Sequence, residues 1–244
     1  MNERPLITTY WEGPMHPYIS MCIETMQKHH EVLVLNEKCW EGLPEWIVKS
    51  DMWPTLSPAH RADIIRIHRL LYGGWWIDAD FIATRSMNNL WDRAIRDNKF
   101  VYYGDKWGAT NGFLMAPPDH LVTREWWQNI EAVVRNHMRL KTAPSWTGLG
   151  ASQLQVVLQN HMDPVFDIGS RRIQPISWDD NKKFFQEFNG KSEARDHVWE
   201  GGYGYMLFNH VFPSWFKAAD REKILNGKWL ISSIFRIALG QEPW

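Results

Sequence analysis

The sequence has little cysteine, little charge imbalance and no long apolar run. Its two cysteines, Cys22 and Cys39, form neither a metal-ligand spacing nor a disulfide framework, and reduced thiols in a cytosol fit them better than a single disulfide. The formal net charge of −1 argues against a general nucleic-acid binder. No run of about 20 apolar residues is present, so no membrane span is expected. The first residues, MNERPLITTYW, lack the apolar core of a signal peptide. We therefore expect a cytoplasmic protein with no nucleic-acid partner.

What the sequence does contain is typical of a globular domain. Of its 244 residues, 44% are hydrophobic and 23% are charged, so one domain spanning residues 1–244 is expected. Tryptophan is abundant, with 16 residues. Indole rings stack on sugars, but they are also large core residues. We expect most of them in the core and a few in contact with a ligand.

Strand-like and helix-like segments alternate along the chain. An apolar run at 5–10, an amphipathic segment at 17–29 and a β-branched run at 31–36 read as strand, helix and strand. Ser57-Pro58 is a strong helix start. Further strands are predicted at 75–77, 99–104, 111–116 and in two short runs within 163–178, and further helices at 119–137 and 152–161. This order predicts an α/β fold.

The stretch HRADIIRIHRLLYGGWWIDAD, residues 60–80, organises the chain. A helix runs into Gly73-Gly74, and a short apolar strand then leads to Asp78 and Asp80. In an extended chain these two carboxylates leave the backbone on the same side. A divalent cation between them would relieve their repulsion. A pair of solvated acids in a turn is the alternative.

The same stretch resembles the DXD-motif glycosyltransferases, a family that includes capsular polysaccharide synthesis proteins, fungal Golgi mannosyltransferases and, more distantly, glucosylating toxins. The usual tyrosine two residues before the first motif aspartate is Trp76 here. The resemblance implies a GT-A-like (Rossmann-like) α/β fold with a mixed central sheet flanked by helices, a nucleotide-sugar donor and a Mn²⁺ or Mg²⁺ ion. The matching residues are Arg61, Ala62, Asp63, Arg66, Leu70, Gly73, Gly74, Asp78 and Asp80.

The resemblance also implies roles for residues around the motif. Asp63 would lie near ribose or sugar hydroxyls, and Arg66 near the sugar or the diphosphate, with Trp76 beside the donor. On the residues alone, Asp63 and Arg66 are three apart on a helix and form an ordinary surface ion pair. Tyr10 and Trp11, at the end of the first strand, are candidates for stacking on the base.

Two further donor-site candidates, Asp105 and Asn111, come later in the chain. In the family the strand that begins at Asn111 lies behind the donor sugar, and the loop before it faces the acceptor. Both residues also suit ordinary turns at strand ends. Trp11 likewise has a second interpretation, which is packing against the loop that follows it.

A second motif lies near the end of the chain. Residues 209–215, NHVFPSW, resemble the family's H-x-x-x-S-W element, which closes over the diphosphate. By that resemblance His210 is the third metal ligand beside Asp78 and Asp80. Ser214 and Trp215 would donate hydrogen bonds to phosphate oxygens. Taken alone, His210 before an aromatic cluster reads as a packed histidine.

The tail, 228–239, reads as an amphipathic helix. Packing against the domain is the default interpretation, and peripheral docking at the inner face of a membrane, beside a lipid-linked acceptor, is the alternative.

We predict a metal-dependent glycosyltransferase that moves a sugar from a nucleotide-diphosphate sugar, with UDP-sugars favoured, to a glycan or lipid-linked hydroxyl. The resemblance implies retention of configuration, with Asp78, Asp80 and Arg66 central to catalysis. One alternative is a haloacid-dehalogenase-like phosphatase with Asp78 as nucleophile. Another is a non-catalytic, Trp-rich carbohydrate-binding protein.

Overall fold

The structure, a computed structural model, describes residues 6–38, 42–161 and 163–242. Cys39 lies outside the described residues. The strands are β1 (Ile7–Tyr10), β2 (Val32–Leu35), β3 (Gly74–Ile77), β4 (Phe81–Ala83), β5 (Phe100–Tyr102), β6 (Gly104–Asp105), β7 (Gly108–Ala109), β8 (Phe113–Ala116), β9 (Val165–Asp167) and β10 (Gly204–Met206). The helices are α1 (Pro17–Gln27), α2 (Glu45–Val48), α3 (Pro58–Leu70), α4 (Asn88–Arg96), α5 (Leu121–Leu140), α6 (Ala151–Asn160), α7 (Lys191–Asp196), α8 (Ser214–Lys217), α9 (Arg221–Asn226) and α10 (Leu230–Ala238).

The described residues fall into two compact units. The first comprises 6–12, 33–77 and 88–168, and the second comprises 13–32, 78–87 and 169–242, apart from the gaps given above. The prediction of a single domain over residues 1–244 stays a prediction. No helix within the described ranges has the length and apolar content needed to span a membrane.

The first unit is built on a six-stranded sheet in the order β2-β1-β3-β8-β5-β9. Strand β3 runs parallel to β1 and antiparallel to β8, and β5 runs parallel to β9, so the sheet is mixed, as predicted. Trp75 and Trp76 point to opposite faces, as successive strand residues do. Trp75 lies beside Trp91 of α4, while Trp76 joins the core formed with α3, α5 and α6. The sheet therefore has helices on both faces, and the predicted α/β class is confirmed.

The turn between α3 and β3 requires glycine. Gly73 and Gly74 have φ of +77° and +129°, which L side chains rarely adopt. A Cβ on Gly73 would also lie 2.6 Å from the backbone nitrogen of Pro118. The Gly-Gly pair thus ends the helix and lets the chain enter the central strand directly.

The second unit contains an antiparallel ribbon of β4 and β10, covered by helices. Phe81 pairs with Met206 and Ala83 with Gly204. Helix α1 packs on β4, where the hydroxyl of Thr25 accepts a hydrogen bond from the Ala83 N–H at 2.9 Å. This ladder sets which residue of the C-terminal segment lies opposite the end of the D-x-D motif.

In the second unit the structure confirms one sequence prediction and corrects another. All nine residues of α10 are buried, Arg236 among them, whose guanidinium donates to the carbonyls of Leu225 and Gly227. The default interpretation holds, and the apolar face predicted as an alternative membrane contact is taken up by the core. The second strand-like run within 163–178 forms no strand. Its residues lie partly in 3₁₀ turns at Ser170–Arg172 and Trp178–Phe185.

Candidate active site

In the first unit, the side chains of α3 and the start of β8 form a buried polar cluster. Asp63 and Arg66 are only 7% and 4% exposed, and a guanidinium N–H of Arg66 donates to Oδ1 of Asp63. The amide of Asn111 donates to the same oxygen at 2.8 Å. The pair is therefore a buried ion pair and not the surface pair that helix spacing alone indicates.

Trp76 of β3 also belongs to this cluster. Its ring lies 5.0 Å from the guanidinium carbon of Arg66, in cation–π geometry, and it is 1% exposed. The structure thus brings together four predicted donor-site residues: Asp63, Arg66, Trp76 and Asn111. Because Trp76 is covered by protein, its contact is with Arg66.

Gly150 is a residue of this cluster that sequence reasoning missed. A Cβ at this position would lie 2.3 Å from Nδ2 of Asn111 and 2.6 Å from both carboxylate oxygens of Asp63. The backbone just before α6 therefore packs in direct contact with the side chains of the polar cluster. Glycine in a loop is too common for the sequence alone to identify this position.

The other donor-site candidates of the first unit lie in different settings. Tyr10 is 8% exposed, belongs to the apolar core and donates its hydroxyl to Glu12 at 2.7 Å, which leaves little ring surface for a base. Trp11 is half-buried, and its N–H donates to the carbonyl of Leu35. Asp105 lies in the β6–β7 hairpin and accepts from the N–H of Trp107 at 2.7 Å, the turn role that was its alternative interpretation.

In the second unit, Asp80 is held by the C-terminal segment. Its main-chain carbonyl accepts from the N–H of Leu207 at 3.0 Å, and its Oδ2 accepts from the N–H of Asn209 at 3.1 Å. The two residues of that hydrogen bond are 129 positions apart. The contact follows from the β4–β10 register, because Phe81 opposite Met206 places Asp80 opposite Leu207. Asp80 of the D-x-D motif therefore contacts Asn209, the residue directly before the H-x-x-x-S-W element.

The remaining predicted ligands lie close by in the chain. Asp78 is half-buried, and its carbonyl accepts from the N–H of Phe81 in the turn between the two acids. His210 is exposed in the 3₁₀ turn Asn209–Val211. Within residues 6–38, 42–161 and 163–242, no three His, Cys, Asp or Glu side chains are grouped so as to hold a metal ion. The set of Asp78, Asp80 and His210 is thus not preassembled, and it stays a prediction.

Ser214 and Trp215 begin the short helix α8, and both are exposed. Trp215 is 44% exposed and packs one side of its ring near Phe185 and Trp229, with centroids 5.5 and 5.0 Å away. The serine hydroxyl and the indole are thus presented at the surface of the second unit, next to the turn that contains His210.

The negative charge of Asp80 acts on helix α1. Burial, and after it the charge of Asp80, raises the pKa of the Tyr18 hydroxyl and of the Cys22 thiol. Both side chains lie within α1, so Asp80 faces this helix as well as the 207–209 segment. Both groups are protonated at neutral pH, and the tyrosine hydroxyl remains a hydrogen-bond donor.

No protein-family model matches this sequence, and a search of curated proteins finds no match. Among solved structures, the chain is similar to the PaToxG glycosyltransferase, at 14% identity and a TM-score of 0.45, over 65% of this chain and 70% of that one. It is also similar to the glycosyltransferase GlyE of Streptococcus pneumoniae TIGR4, at 13% identity and a TM-score of 0.41, over 70% of this chain and 46% of that one. The WbbM bifunctional glycosyltransferase matches at 11% identity and a TM-score of 0.42, over 69% and 39%. The matched region thus spans less than half of the GlyE and WbbM chains.

Proposed function

We propose that the protein is a metal-dependent glycosyltransferase. It transfers a sugar from a nucleotide-diphosphate sugar, with UDP-sugars favoured, to a hydroxyl of a glycan or lipid-linked acceptor, with retention of configuration. The observation that carries this proposal is the hydrogen bond from the Asn209 N–H to Oδ2 of Asp80. It joins the second aspartate of the D-x-D motif to Asn209, the residue directly before the H-x-x-x-S-W element. By their resemblance to the DXD-motif family, these two elements belong to one metal and diphosphate site.

The donor atoms in the second unit suit a hard divalent cation. Asp78 and Asp80 offer carboxylate oxygens, which suit Mn²⁺ or Mg²⁺, and His210 would add an imidazole nitrogen as the third donor. All three residues have solvent-facing surface, so an ion can reach them. When bound, the ion would supply positive charge to the departing diphosphate. Ser214 and Trp215 would donate hydrogen bonds to phosphate oxygens.

The residues of the first unit would recognise the donor. Asp63 and Asn111 would face sugar or ribose hydroxyls, and the half-buried Trp11 is the better placed of the two base-stacking candidates. The charge of Arg66 is largely taken up by Asp63. Its role in the proposal is therefore to hold the Asp63 carboxylate in one orientation.

Release of nucleoside diphosphate tests the function. The protein would be incubated with UDP-, GDP- and dTDP-sugars and Mn²⁺, and the released diphosphate would be measured beside a thermal-shift assay, because a bound donor raises the melting temperature by mass action. We expect release with a UDP-sugar and its loss in Asp80→Asn. Asp196→Asn is the matched control, since Asp196 is an exposed residue of α7 in the same unit.

The alternatives give different results in the same samples. A phosphoenzyme at Asp78 with release of inorganic phosphate would make the protein a phosphatase. Sugar binding that is unaffected by a chelator, without any diphosphate release, would make it a carbohydrate-binding protein. Equal activity in Asp80→Asn and Asp196→Asn would overturn the assigned role of the D-x-D motif.

A further inference from the structure

Two hydrogen bonds in series connect helix α1 to Asp80. The hydroxyl of Tyr18 donates to Oδ1 of Asn209, and the N–H of Asn209 donates to Oδ2 of Asp80 at 3.1 Å. Tyr18 and Asn209 are 191 positions apart, so the connection is purely tertiary. Asn209 therefore touches Asp80 through its backbone and Tyr18 through its side chain.

Tyr18 is rigidly placed. It is fully buried, and its ring packs against Phe212 and Phe216, with centroids 5.8 and 5.3 Å away. These phenylalanines belong to the same C-terminal segment as Asn209. The segment is thus fixed to α1 by aromatic packing on one side and by the Tyr18 hydroxyl on the other.

The carboxylate of Asp80 receives its orientation through this arrangement. A hydrogen bond to one carboxylate oxygen opposes rotation of the group, and here its donor is a backbone N–H that is itself anchored. Partners of this kind, hydrogen-bonded to a metal-binding carboxylate, set the direction of its lone pairs and tune metal affinity. Their loss weakens binding without removing any ligand.

We propose that Tyr18 and Asn209 are positioning residues that hold the Asp80 carboxylate ready for a divalent cation. This inference rests on the proposed function, because it assumes that Asp80 is a metal ligand. The raised pKa of Tyr18 is consistent with it, since the hydroxyl stays protonated and keeps donating. Neither residue belongs to the D-x-D motif or to the H-x-x-x-S-W element as the family pattern is written.

The test measures Mn²⁺ binding directly, by the electron paramagnetic resonance signal of free Mn²⁺, without any nucleotide sugar. Tyr18→Phe removes only the hydroxyl, and we expect its Kd for Mn²⁺ to rise by about tenfold or more. Tyr205→Phe is the matched control. Tyr205 is also buried in the second unit, but its hydroxyl bonds to the backbone of Trp199. We expect Tyr205→Phe to lower the melting temperature. Its Kd for Mn²⁺ should stay within about twofold of the wild-type value, since Tyr205 takes no part in the two hydrogen bonds that link Tyr18 to Asp80.

A double-mutant cycle separates a connected chain from two unrelated effects. Asn209→Ala keeps the backbone N–H that reaches Asp80 but removes the acceptor for Tyr18. If the two residues act in series, the Kd of the Tyr18→Phe/Asn209→Ala double variant equals that of either single variant. Multiplying losses would overturn the proposed series, as would an equal loss in Tyr205→Phe.

Failure of this inference is distinguishable from failure of the proposed function. Wild-type protein that binds Mn²⁺ with the same Kd as Tyr18→Phe overturns the positioning role alone. If the wild-type protein neither binds Mn²⁺ nor releases nucleoside diphosphate, both the positioning role and the proposed function are overturned.

Discussion

The amide of Asn111 donates to Oδ1 of Asp63 at 2.8 Å, across 48 residues of sequence. The same oxygen receives the guanidinium of Arg66. The carboxylate of Asp63 thus bonds to another side chain of α3 and also to the segment that enters β8. The backbone of Gly150 closes over it. This small polar cluster, inside an otherwise apolar core, is where substitutions should separate stability from function most clearly.

Arg66→Met should destabilise the protein strongly. It leaves the carboxylate of Asp63 buried beside Asn111 without its charged partner, and loss of one member of a buried pair costs about 3–5 kcal/mol. Lys49→Met is the control, because Lys49 pairs with Glu45 on the surface with both side chains at least 70% exposed. There we expect a change below about 1 kcal/mol. Urea unfolding measures both, and similar losses in the two variants would contradict the buried ion pair.

Gly150→Ala should disturb the same cluster by volume alone. The new methyl group would meet Asn111 and Asp63 at 2.3 and 2.6 Å, so these side chains must shift, at about 1–3 kcal/mol for an overpacked site. If the cluster receives the donor, UDP-sugar affinity should fall as well. Gly190→Ala is the matched control, since a Cβ there meets nothing within 4 Å and its backbone is extended. Calorimetric unfolding and donor titration should find Gly190→Ala near wild type, and equal behaviour of the two variants would be inconsistent with the close approach.

Gly73→Ala tests the turn that delivers the D-x-D motif. Gly13 and Gly73 have nearly the same φ, +80° and +77°, so alanine suffers similar backbone strain at each, about 1–2 kcal/mol. A Cβ added to Gly13 would meet nothing within 4 Å, whereas a Cβ added to Gly73 would lie 2.6 Å from the backbone nitrogen of Pro118. Gly73→Ala should therefore lose about 1–3 kcal/mol more than Gly13→Ala. Denaturant midpoints compare them, and identical losses would mean that the contact with Pro118 is loose.

Glu12 should contribute stability that acid removes. Burial alone raises the pKa of Glu12, but hydrogen bonds from Arg61 and Tyr10 outweigh it and leave the pKa below its ordinary value. Because the pKa of Glu12 is lower in the folded state, its carboxylate contributes fully to the free energy of unfolding at pH values above the unfolded-state pKa, about 4.3. It is lost as the pH falls through the lower, folded-state pKa.

The matching variant is Glu12→Gln. At pH 7 its free energy of unfolding should be about 1–2 kcal/mol lower than that of wild type, because it loses charge-assisted hydrogen bonds with Arg61. This difference in unfolding free energy between wild type and Glu12→Gln should become smaller as the pH falls below about 4. Glu45→Gln, at an exposed residue of α2, serves as the control. A gap that stays constant from pH 7 to pH 3 would show that Glu12 keeps its ordinary pKa.

Local patterns predicted most of the elements because their causes are local. Ser57 caps α3 through its hydroxyl, as the Ser-Pro start indicates. Strands β1 and β8 lie within the predicted runs, and β3 begins one residue before the predicted 75–77. The amphipathic pattern of the tail likewise predicted the helix α10. It did not predict that Ser232 and Arg236 would be buried too, because a helical period describes one face and is silent about what covers the other.

Residue identities and spacing by themselves determined the α/β class and the Gly-Gly turn, and the resemblance to the DXD-motif family indicated the candidate D-x-D and H-x-x-x-S-W elements. Only the tertiary structure decided that Asp63 and Arg66 are buried with Asn111, that Gly150 presses on them, and that Asn209 holds Asp80. The reason is physical. Side-chain period and capping act over a few residues, whereas the register of β4 on β10 and the approach of a loop to a helix depend on how distant segments pack together.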